Sequence, residues 1–518
     1  MNASNEGTRQ DWSGGDWGDS GSGSWEGQGG GGTVFATLQD MMSQRWFTDL
    51  FSELAERHAG SAKITDELRG IDAGSQAFWP FLAAPFQLAV GEALGCRITD
   101  VDGNTYLDCH MGFGAQALHG HSPAPVVEFV RDRLHGGPGN GYLTAVELDL
   151  AGLLRDIMPH CDKFAFQHSG TEATYAAIRL ARAFTGRRLV AKFEGTLHGS
   201  HDLAVHNTAF WYHGQPAYPF PAVGPDGVSP VPAFAGVPQA GPEDLLVLPN
   251  DPAAAIGLIN AHAAELACVI AEPAASSFPF EDVTIPMVKE TAAACRRAGV
   301  PFILDEVLTG FRNGIGGAAA RYGIEADLYT YGKVISGLGI PLSAVGGRAD
   351  IMDMTQTTGQ GFTDIGHKTA MQGSHTGNYL ALCASYASLR LLCDKGDAYY
   401  AQTRAKASAI KDRLNQFRAD SGIPLRLVGF GDFIGCFQFL PEDSYRDYRE
   451  FARAMNPALF VLTLMLRKRG VYMLGTPMLF LGGAHSESDV DELVDAVTDS
   501  ALELKKNGFP FELSWEQT

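Results

Sequence analysis

Short apolar runs alternate with longer segments of helical periodicity through the middle of the chain. The runs at Leu189–Phe193, Leu266–Ala271 and 300–304 are rich in β-branched and aromatic residues, as buried strands are. A segment of helical composition at 287–297 precedes the third run. This alternation predicts an α/β fold with a mainly parallel sheet wrapped by helices.

The two ends of the chain follow other patterns. Residues 1–32 are rich in Gly, Ser, Asp and isolated Trp and contain no apolar run, which indicates a disordered tail and not a signal peptide. From Thr33 to Leu54, apolar residues recur at helical spacing and predict an amphipathic helix that docks on the surface of a dimer. Further helices are predicted at 405–417 and 488–505.

Composition narrows the class of protein. The formal net charge of −20 over 518 residues argues against nucleic acid or an anionic membrane as a partner. The eight cysteines form no Cys-x-x-Cys pair and mostly lie in apolar stretches, as reduced thiols do. No apolar run reaches transmembrane length, and the histidine spacings match no metal motif. We therefore expect a cytoplasmic enzyme without a metal site.

A lysine and an aspartate follow two of the apolar runs. Lys333 comes after the run 327–330, and Asp305 ends the run that begins at Val300. A lysine amine forms an imine with an aldehyde cofactor, and a carboxylate beside a pyridine nitrogen keeps the ring protonated and electron-withdrawing. Such a charge pair at about 4 Å contributes roughly 4 kcal/mol at an effective dielectric of ~20. Lys333 and Asp305 together therefore predict pyridoxal phosphate (PLP) as cofactor. A single lysine or aspartate after a strand is more often a surface or turn residue.

A third motif has the form of a phosphate site. The run 163–168 has the composition of a buried strand, and Ser169, Gly170 and Thr171 lead from it into a helix. The free amides and the positive dipole end of a helix start favour a dianion, and Gly170 leaves room for its approach. Ser169 and Glu172 also form the pattern of a capping box, which needs no ligand.

Four segments occur in a specific order along the chain. They are 169–182, which begins Ser-Gly-Thr-Glu, then Phe-Glu-Gly-Thr-Leu-His-Gly at 193–199, Asp-Glu-Val-Leu-Thr-Gly-Phe-Arg at 305–312 and Gly-Lys-Val-Ile-Ser-Gly at 332–337. Together they resemble the class III PLP-dependent aminotransferases. Within that class the resemblance is to glutamate-1-semialdehyde aminomutase, and it extends over most of the chain.

The resemblance implies a fold and an assembly. The fold is that of the fold type I PLP-dependent transferases, with a large domain built on a mainly parallel sheet and a smaller α+β domain. We assign 111–390 to the large, PLP-binding domain and 391–518 to the C-terminal small domain, with 33–110 contributing to the small domain. Because active sites in this family are shared between subunits, the resemblance also implies a homodimer.

The resemblance assigns roles around the cofactor ring. Lys333 is expected to bind PLP covalently and to shuttle protons, and Asp305 is expected to contact the pyridine nitrogen. Val307 is expected to pack on one face of the ring. Leu197 and His198 belong to the segment that stacks on the other face.

The resemblance also assigns the phosphate ligands. Ser169, Gly170 and Thr171 are expected to hold the phosphate in one subunit. In the stretch 373–378, Ser374 is expected to reach the phosphate of the neighbouring subunit. The assembly would then complete each active site.

Several positions depart from the family pattern. Leu197 replaces an aromatic residue, so ring stacking becomes an aliphatic contact and loses about 0.5–1.5 kcal/mol.

The aminomutase has a tryptophan where Gly114 stands beside Phe113, which changes the pocket wall. Gln76 stands where the aminomutase has a carboxylate-binding arginine, and a neutral amide cannot form that bidentate ion pair. The stretch 478–485 lacks the switching arginine of many class III transaminases. Gln76, Phe113 and Gly114 are therefore the predicted substrate residues.

A long segment between His206 and Pro238 has no periodic pattern and contains six prolines and the aromatic trio 210–212. Long ordered loops beside a site act as lids or binding loops, and in the aminomutase a mobile segment here covers the site. We predict a lid, with a flexible surface insertion as the alternative.

The leading hypothesis is a PLP-dependent aminotransferase that transfers an amino group between a small amino compound and a carbonyl acceptor, either free or carrier-tethered. The first alternative is an aminomutase, which moves the amino group within one substrate. A second alternative, of another class, is a degenerate scaffold that binds no cofactor.

Overall fold

The computed structural model describes residues 32–73, 87–208, 211–212, 215–216, 220–275, 277–431, 433–475 and 477–517. The helices within these ranges are α1 (Gly32–Ser43), α2 (Arg45–Arg57), α3 (Ala59–Arg69), α4 (Ala124–Leu134), α5 (Ala145–Ile157), α6 (Gly170–Thr185), α7 (Pro252–Ala261), α8 (Glu281–Ala298), α9 (Gly317–Tyr322), α10 (Ala349–Met352), α11 (Gly361–His367), α12 (Tyr379–Ser421), α13 (Tyr448–Ala454), α14 (Phe460–Lys468) and α15 (Glu487–Lys506). The strands are β1 (Val90–Leu94), β2 (Arg97–Asp100), β3 (Thr105–Asp108), β4 (Lys163–Gln167), β5 (Leu189–Phe193), β6 (Trp211–Tyr212), β7 (Gln215–Pro216), β8 (Val223–Gly224), β9 (Gly227–Val228), β10 (Leu245–Leu248), β11 (Leu266–Ala271), β12 (Phe302–Glu306), β13 (Leu328–Tyr331), β14 (Ser343–Gly347), β15 (Leu425–Phe430), β16 (Ile434–Phe439), β17 (Val471–Tyr472) and β18 (Met478–Phe480).

A sheet with the strand order β4-β14-β13-β12-β11-β5-β10-β9-β8 forms the centre of the molecule. Strands β13, β12, β11, β5 and β10 pair in parallel, whereas β14 runs antiparallel to both of its neighbours. The predicted mainly parallel sheet is confirmed. The third predicted strand is displaced by two residues, because Pro301 has no N–H to donate and β12 begins only at Phe302.

Both faces of this sheet are buried. Ile303 and Leu328 lie in the apolar cluster that includes helix α6, whereas Phe302 and Leu304 lie in the larger core on the opposite face. Successive side chains of a strand point to opposite faces, so a strand covered on both sides is apolar throughout. This explains why the parallel strands appear in the sequence as continuous apolar runs.

Two smaller sheets join segments that are distant in sequence. One has the order β1-β2-β3-β17, in which β17 from the C-terminal region pairs in parallel with β3. The other has the order β15-β16-β18. The N-terminal and C-terminal segments therefore share a sheet, and the domain boundaries at 110 and 390 remain a prediction.

The N-terminal apolar pattern at 33–54 forms two helices, α1 and α2, and not one. Helix α2 ends at Arg57, and His58 lies between α2 and α3 with its ring Nε2 2.5 Å from the Tyr106 hydroxyl. Phe47, Leu50 and Leu54 are buried in the main core. The prediction of one helix docked on a dimer surface is wrong, because this apolar face packs against the same chain.

Other N-terminal contacts agree with this packing. The ring of Phe35 lies 6.1 Å from that of Trp515, and Arg57 donates to the carbonyl oxygen of Lys468 at 2.9 Å. Of the predicted tail, 1–31 lies outside the described residues, and Gly32 already belongs to α1.

The proline-rich segment 206–238 is described in part. Strands β8 and β9 form a hairpin, and Val228 pairs with Val247 at the edge of the central sheet. Phe210 and the side chains of Trp211 and Tyr212 lie outside the described residues. Whether this segment is a lid remains a prediction.

Candidate active site

Several predicted site residues lie at strand ends or at a helix start. They are Asp305, Val307 and Lys333 at the carboxyl ends of β12 and β13, Leu197 and His198 in the loop after β5, and Ser169, Gly170 and Thr171 at the start of α6. Parallel neighbours end at the same edge of a sheet, where open α/β proteins bind their ligands. The residues that directly follow these strands therefore form the candidate site.

Helix α6 begins at the predicted phosphate motif. The Ser169 hydroxyl accepts a hydrogen bond from the Glu172 amide at 3.2 Å, and the Glu172 carboxylate accepts from the His168 amide at 3.0 Å. The capping interaction considered from the sequence is therefore present. It leaves the amides of Gly170 and Thr171 at the first turn of a 16-residue helix, which favours an anion beside them.

Val307 connects this helix start to the lysine. A Cβ atom built on Gly170 would lie 2.7 Å from Val307 Cγ1, and one built on Gly332 would lie 3.0 Å from the same atom. The Val307 side chain thus packs directly against the residue before Lys333 and against the start of α6. The two glycines are needed here because any side chain would separate the three segments.

Asp305 is nearly inaccessible to solvent and is held by three hydrogen bonds. Its Oδ1 accepts from the Val307 amide at 3.0 Å and from the Thr330 hydroxyl at 2.8 Å, and its Oδ2 lies 2.7 Å from His198 Nδ1. One lone pair of Oδ2 remains for a donor such as a protonated pyridine nitrogen. Burial lowers the pKa of His198, so the ring is neutral and its Nδ1–H donates to Asp305.

Lys333 follows β13 with a φ angle of 49°, which is unusual for a residue other than glycine. Burial, then the positive charge of Arg312, lowers the pKa of Lys333 to about 8. Within the described part of the chain, the Lys333 amine has no hydrogen-bond partner. The amine is thus available for covalent chemistry near neutral pH.

Glu272, directly after β11, is a site residue that sequence reasoning missed. Its Oε2 accepts from the Leu197 amide at 2.8 Å, and burial, then the charge of Asp305, raises the Glu272 pKa to about 8. Glu272 is therefore mostly protonated at neutral pH and adds little negative charge to the site. Leu197 is half-buried, and its backbone is fixed by this bond.

Lys192 on β5 is a second missed residue. Its buried amine donates to the carbonyl oxygens of Thr196, Ala204 and His206 at 2.7–3.0 Å. Burial lowers the Lys192 pKa to about 7. Because these three acceptors flank His198, the lysine holds the loop that presents His198 to Asp305. The sequence could have indicated this role of Lys192, because a lysine within an otherwise apolar strand is unusual.

The predicted substrate residues Phe113 and Gly114 lie in one turn. Phe113 is 39% exposed, and the Gly114 carbonyl oxygen accepts from Nη2 of the fully buried Arg312 at 2.6 Å. Arg312 is a third residue without a predicted role. Gln76 lies outside the described residues.

Ser374 is exposed in the turn that precedes α12. In the same turn, the His375 ring lies 6.3 Å from that of His168, next to the phosphate motif. Ser200 also borders the motif and was missed, since its amide donates to the Thr171 hydroxyl at 3.2 Å.

These residues fit PLP. The chain offers a buried carboxylate with a free lone pair, a lysine amine with a lowered pKa and a helix start with open amides. When bound, PLP supplies an electron sink for the carbon that carries the amino group. Among the described residues, no group of three or more His, Cys, Asp or Glu side chains could hold a metal ion.

Comparison with known proteins identifies the family. The model of the class III aminotransferases matches residues 82–496, and the chain belongs to this family. It is therefore a PLP-dependent enzyme of fold type I, which confirms the predicted family, fold class and cofactor and sets aside the cofactor-free scaffold.

The names of individual relatives state different activities. A glutamate-1-semialdehyde 2,1-aminomutase of Anaeromyxobacter sp. (strain Fw109-5) is 33% identical over 84% of this chain and 95% of its own length. An omega-transaminase from Sphaerobacter thermophilus is 27% identical with a TM-score of 0.74, covering 86% of this chain and 98% of its own. A β-phenylalanine aminotransferase from Variovorax paradoxus is 25% identical with the same TM-score, covering 91% and 98%. The chain is thus similar to both aminomutases and aminotransferases.

Proposed function

We propose that this chain is an aminotransferase that moves an amino group from an amino compound to a separate carbonyl acceptor, with Lys333 and Asp305 as its catalytic residues. In this proposal the Lys333 amine carries a proton to and from the substrate carbon as general base and general acid. Asp305, oriented by His198 and Thr330, supplies the negative charge beside the pyridine nitrogen.

The observation that carries this choice is the geometry at Gly114. A Cβ atom at this position would lie 2.5 Å from Phe480 Cδ1 and 2.6 Å from Arg312 Nη2. A tryptophan, as in the aminomutase, has no space there. A pocket wall of different shape, together with Gln76 in place of a carboxylate-binding arginine, favours a substrate other than glutamate semialdehyde.

The test separates transfer from isomerisation. The enzyme is loaded with amino groups by excess L-alanine, L-glutamate, β-alanine or 1-phenylethylamine and is then freed of donor by gel filtration. A panel of 2-keto acids and aldehydes is added, and products are identified by mass spectrometry. We expect one acceptor to yield its amino product, and Lys333→Ala to yield none. No product from any donor and acceptor would contradict the proposal.

An aminomutase is the second candidate, and the 33% identity to an enzyme of that name over most of the chain favours it. The same experiment tests it, with glutamate 1-semialdehyde as the probe. Isomerisation of this compound without consumption of a second acceptor would establish the aminomutase and exclude the transferase.

We also propose a homodimer in which Ser374 reaches the phosphate of the partner. Large apolar side chains are exposed on two segments: Phe362 is 97% and Ile365 80% exposed on α11, and Leu143 is 95% exposed before α5. Exposed large apolar side chains are typical of surfaces that bind a partner. Sedimentation at micromolar concentration tests the assembly.

The substrates we propose are small amino and carbonyl compounds, free or carrier-tethered, and the compartment is the cytoplasm. All eight cysteines are free thiols, as is usual in a reducing compartment. No helix in the described ranges is long and apolar enough to cross a membrane. Fractionation of cells that produce a tagged chain tests the compartment.

A further inference from the structure

The turn at residues 111–114 has an uncommon backbone. Met111, Gly112, Phe113 and Gly114 have φ angles of 50°, 60°, 54° and 79°, so four consecutive residues are left-handed. Two of them carry side chains, and a left-handed backbone is strained for such residues because their Cβ approaches the following carbonyl oxygen. Strain of this kind persists only where surrounding contacts impose it, and it concentrates at functional sites.

Contacts at both ends impose the conformation. At the start, the Asp108 carboxylate accepts from the amides of His110 and Met111 at 2.8 and 2.9 Å. At the end, Arg312 Nη2 donates to the Gly114 carbonyl oxygen at 2.6 Å. The two contacts hold the turn from opposite sides.

Burying the charged guanidinium of Arg312 is energetically costly, and among the described residues it makes a single hydrogen bond in return. Its side chain is fully buried, its Nε and Nη1 atoms have no hydrogen-bond partner, and its guanidinium faces the Phe480 ring at 5.4 Å. None of the described carboxylates forms an ion pair with it, and burial lowers its pKa to about 9. Such a group is retained where its position has a specific use.

The guanidinium also belongs to the surroundings of Lys333. The ring of Phe311, directly before Arg312, lies 5.7 Å from that of Tyr331, two residues before Lys333. After burial, the charge of Arg312 is the largest cause of the lowered Lys333 pKa. Phe113 is the exposed side chain of the turn at 111–114, whereas Met111 is buried.

We propose that Arg312 is a positioning residue for substrate binding: by holding the Gly114 carbonyl it keeps residues 111–114 left-handed and so presents Phe113 to the substrate. This inference rests on the proposed function and adds a determinant of substrate specificity to it. In this role Arg312 acts through Phe113 and its effect appears in substrate affinity, whereas its charge, which also lowers the Lys333 pKa, acts on the pH dependence of cofactor uptake.

A double-mutant cycle tests this coupling. For the amino donors of the panel above, the apparent dissociation constant is measured in the amino-loading half-reaction for wild type, Arg312→Gln, Phe113→Ala and the double variant. We expect roughly tenfold weaker donor binding in each single variant, no further loss in the double variant, and unchanged PLP absorption. Additive losses would overturn the proposal, as would a loss restricted to donors with a carboxylate, which would make Arg312 a direct ligand.

Glycine variants keep the proposal testable if Arg312→Gln does not fold. In Gly114→Ala the new Cβ would lie 2.5 Å from Phe480 Cδ1 and 2.6 Å from Arg312 Nη2, and would displace the guanidinium together with the Phe480 ring that it faces. Gly112→Ala is the matched control, because it has a similar positive φ angle but its Cβ meets only Gln116, at 3.5 Å. We expect roughly tenfold weaker donor binding in the first and less than about threefold in the second. Equal effects would overturn the proposal.

A crystal structure of Arg312→Gln, or of Gly114→Ala, provides a readout that does not depend on activity. We expect the φ angles of Met111 and Phe113 to return to negative values. An unchanged turn would overturn the proposal. If the wild-type enzyme converts no donor, the proposed function fails, and this structural outcome still tests the role of Arg312.

Discussion

At Asp305, the orientation of one carboxylate depends on three different segments. The Val307 amide, the Thr330 hydroxyl and the His198 ring all donate to it. Together these three hydrogen bonds fix both oxygens of the carboxylate. The arrangement is what a residue needs to keep a pyridine nitrogen protonated.

We expect Asp305→Asn to lower the rate of the amino-loading half-reaction at least about a hundredfold, because an amide cannot hold the ring nitrogen charged. The rate is measured by stopped-flow absorption. Thr330→Val is the matched control, since it removes one neutral hydrogen bond and keeps the charge, and we expect a loss below about tenfold. Equal losses in the two variants would show that orientation, and not charge, is what Asp305 supplies.

The lowered pKa of Lys333 has a measurable consequence for cofactor uptake. Only the neutral amine attacks an aldehyde, and with a pKa of about 8 it becomes the major form above pH 8. The rate of PLP uptake by the cofactor-free enzyme should therefore rise between pH 7 and 9 and then level off. An ordinary lysine would continue to rise toward its usual pKa of about 10.4.

The rate of PLP uptake is measured by the visible absorption of the lysine-bound cofactor. Lys333→Ala is the control for other titrating groups, and its PLP binding, measured by equilibrium dialysis, should lack the step near pH 8. A step that persists in this variant would assign the titration elsewhere.

Individual site residues differ in how far the sequence predicts them. Lys333 and Asp305 could be predicted because each follows an apolar run, and strand ends of a parallel sheet form one edge. Glu272 also follows a strand, but its role depends on the Leu197 amide, which comes from another segment. Arg312 was present in a recognised motif without a role, since its contact to Gly114 depends on tertiary packing. Whether the predicted residues have their assigned roles remains to be tested.

At the scale of elements, Gly170 allows Val307, directly after β12, to approach the start of α6, where we propose that the phosphate binds. We expect Gly170→Ala to raise the dissociation constant for PLP at least about tenfold, because the new methyl group would lie 2.7 Å from Val307 Cγ1 and would push the helix start away. Fluorescence titration of the cofactor-free enzyme measures this constant.

Gly152→Ala in α5 is the control for a glycine-to-alanine change within a helix. Its Cβ has no neighbour within 4 Å, so we expect unchanged PLP affinity and slightly higher thermal stability. An equal loss of affinity in both variants would contradict a local role for Gly170.

Elements were predictable where a local pattern dictates them. The parallel strands and α6 follow from apolar periodicity and a capping residue. The break between α1 and α2 at Gln44 was not predictable, because the apolar spacing continues across it from Met41 to Phe47 and local composition does not mark it. The antiparallel direction of β14 has the same origin, since direction depends on the connection and not on composition.

At the scale of the whole molecule, the main question is how Ser374 contributes to a site. Its turn is exposed in one chain. Helix α11, which precedes this turn in sequence, carries exposed apolar side chains. We propose that it acts on the partner's phosphate. Alone, Ser374→Ala should weaken PLP binding by roughly tenfold, through loss of one hydrogen bond to a charged group.

Mixing two variants that are each defective in PLP binding distinguishes action across the dimer from action within one chain. In a dimer of one Lys333→Ala chain and one Ser374→Ala chain, action across the interface leaves one site with both defects and the other with none. We therefore expect one high-affinity PLP site per mixed dimer, measured at a cofactor concentration too low to fill Ser374→Ala alone. If Ser374 acted within its own chain, both sites would be defective and mixing would restore nothing. Differently tagged subunits, purified through both tags, provide the mixed dimer, and mixed wild-type and Lys333→Ala chains provide the positive control.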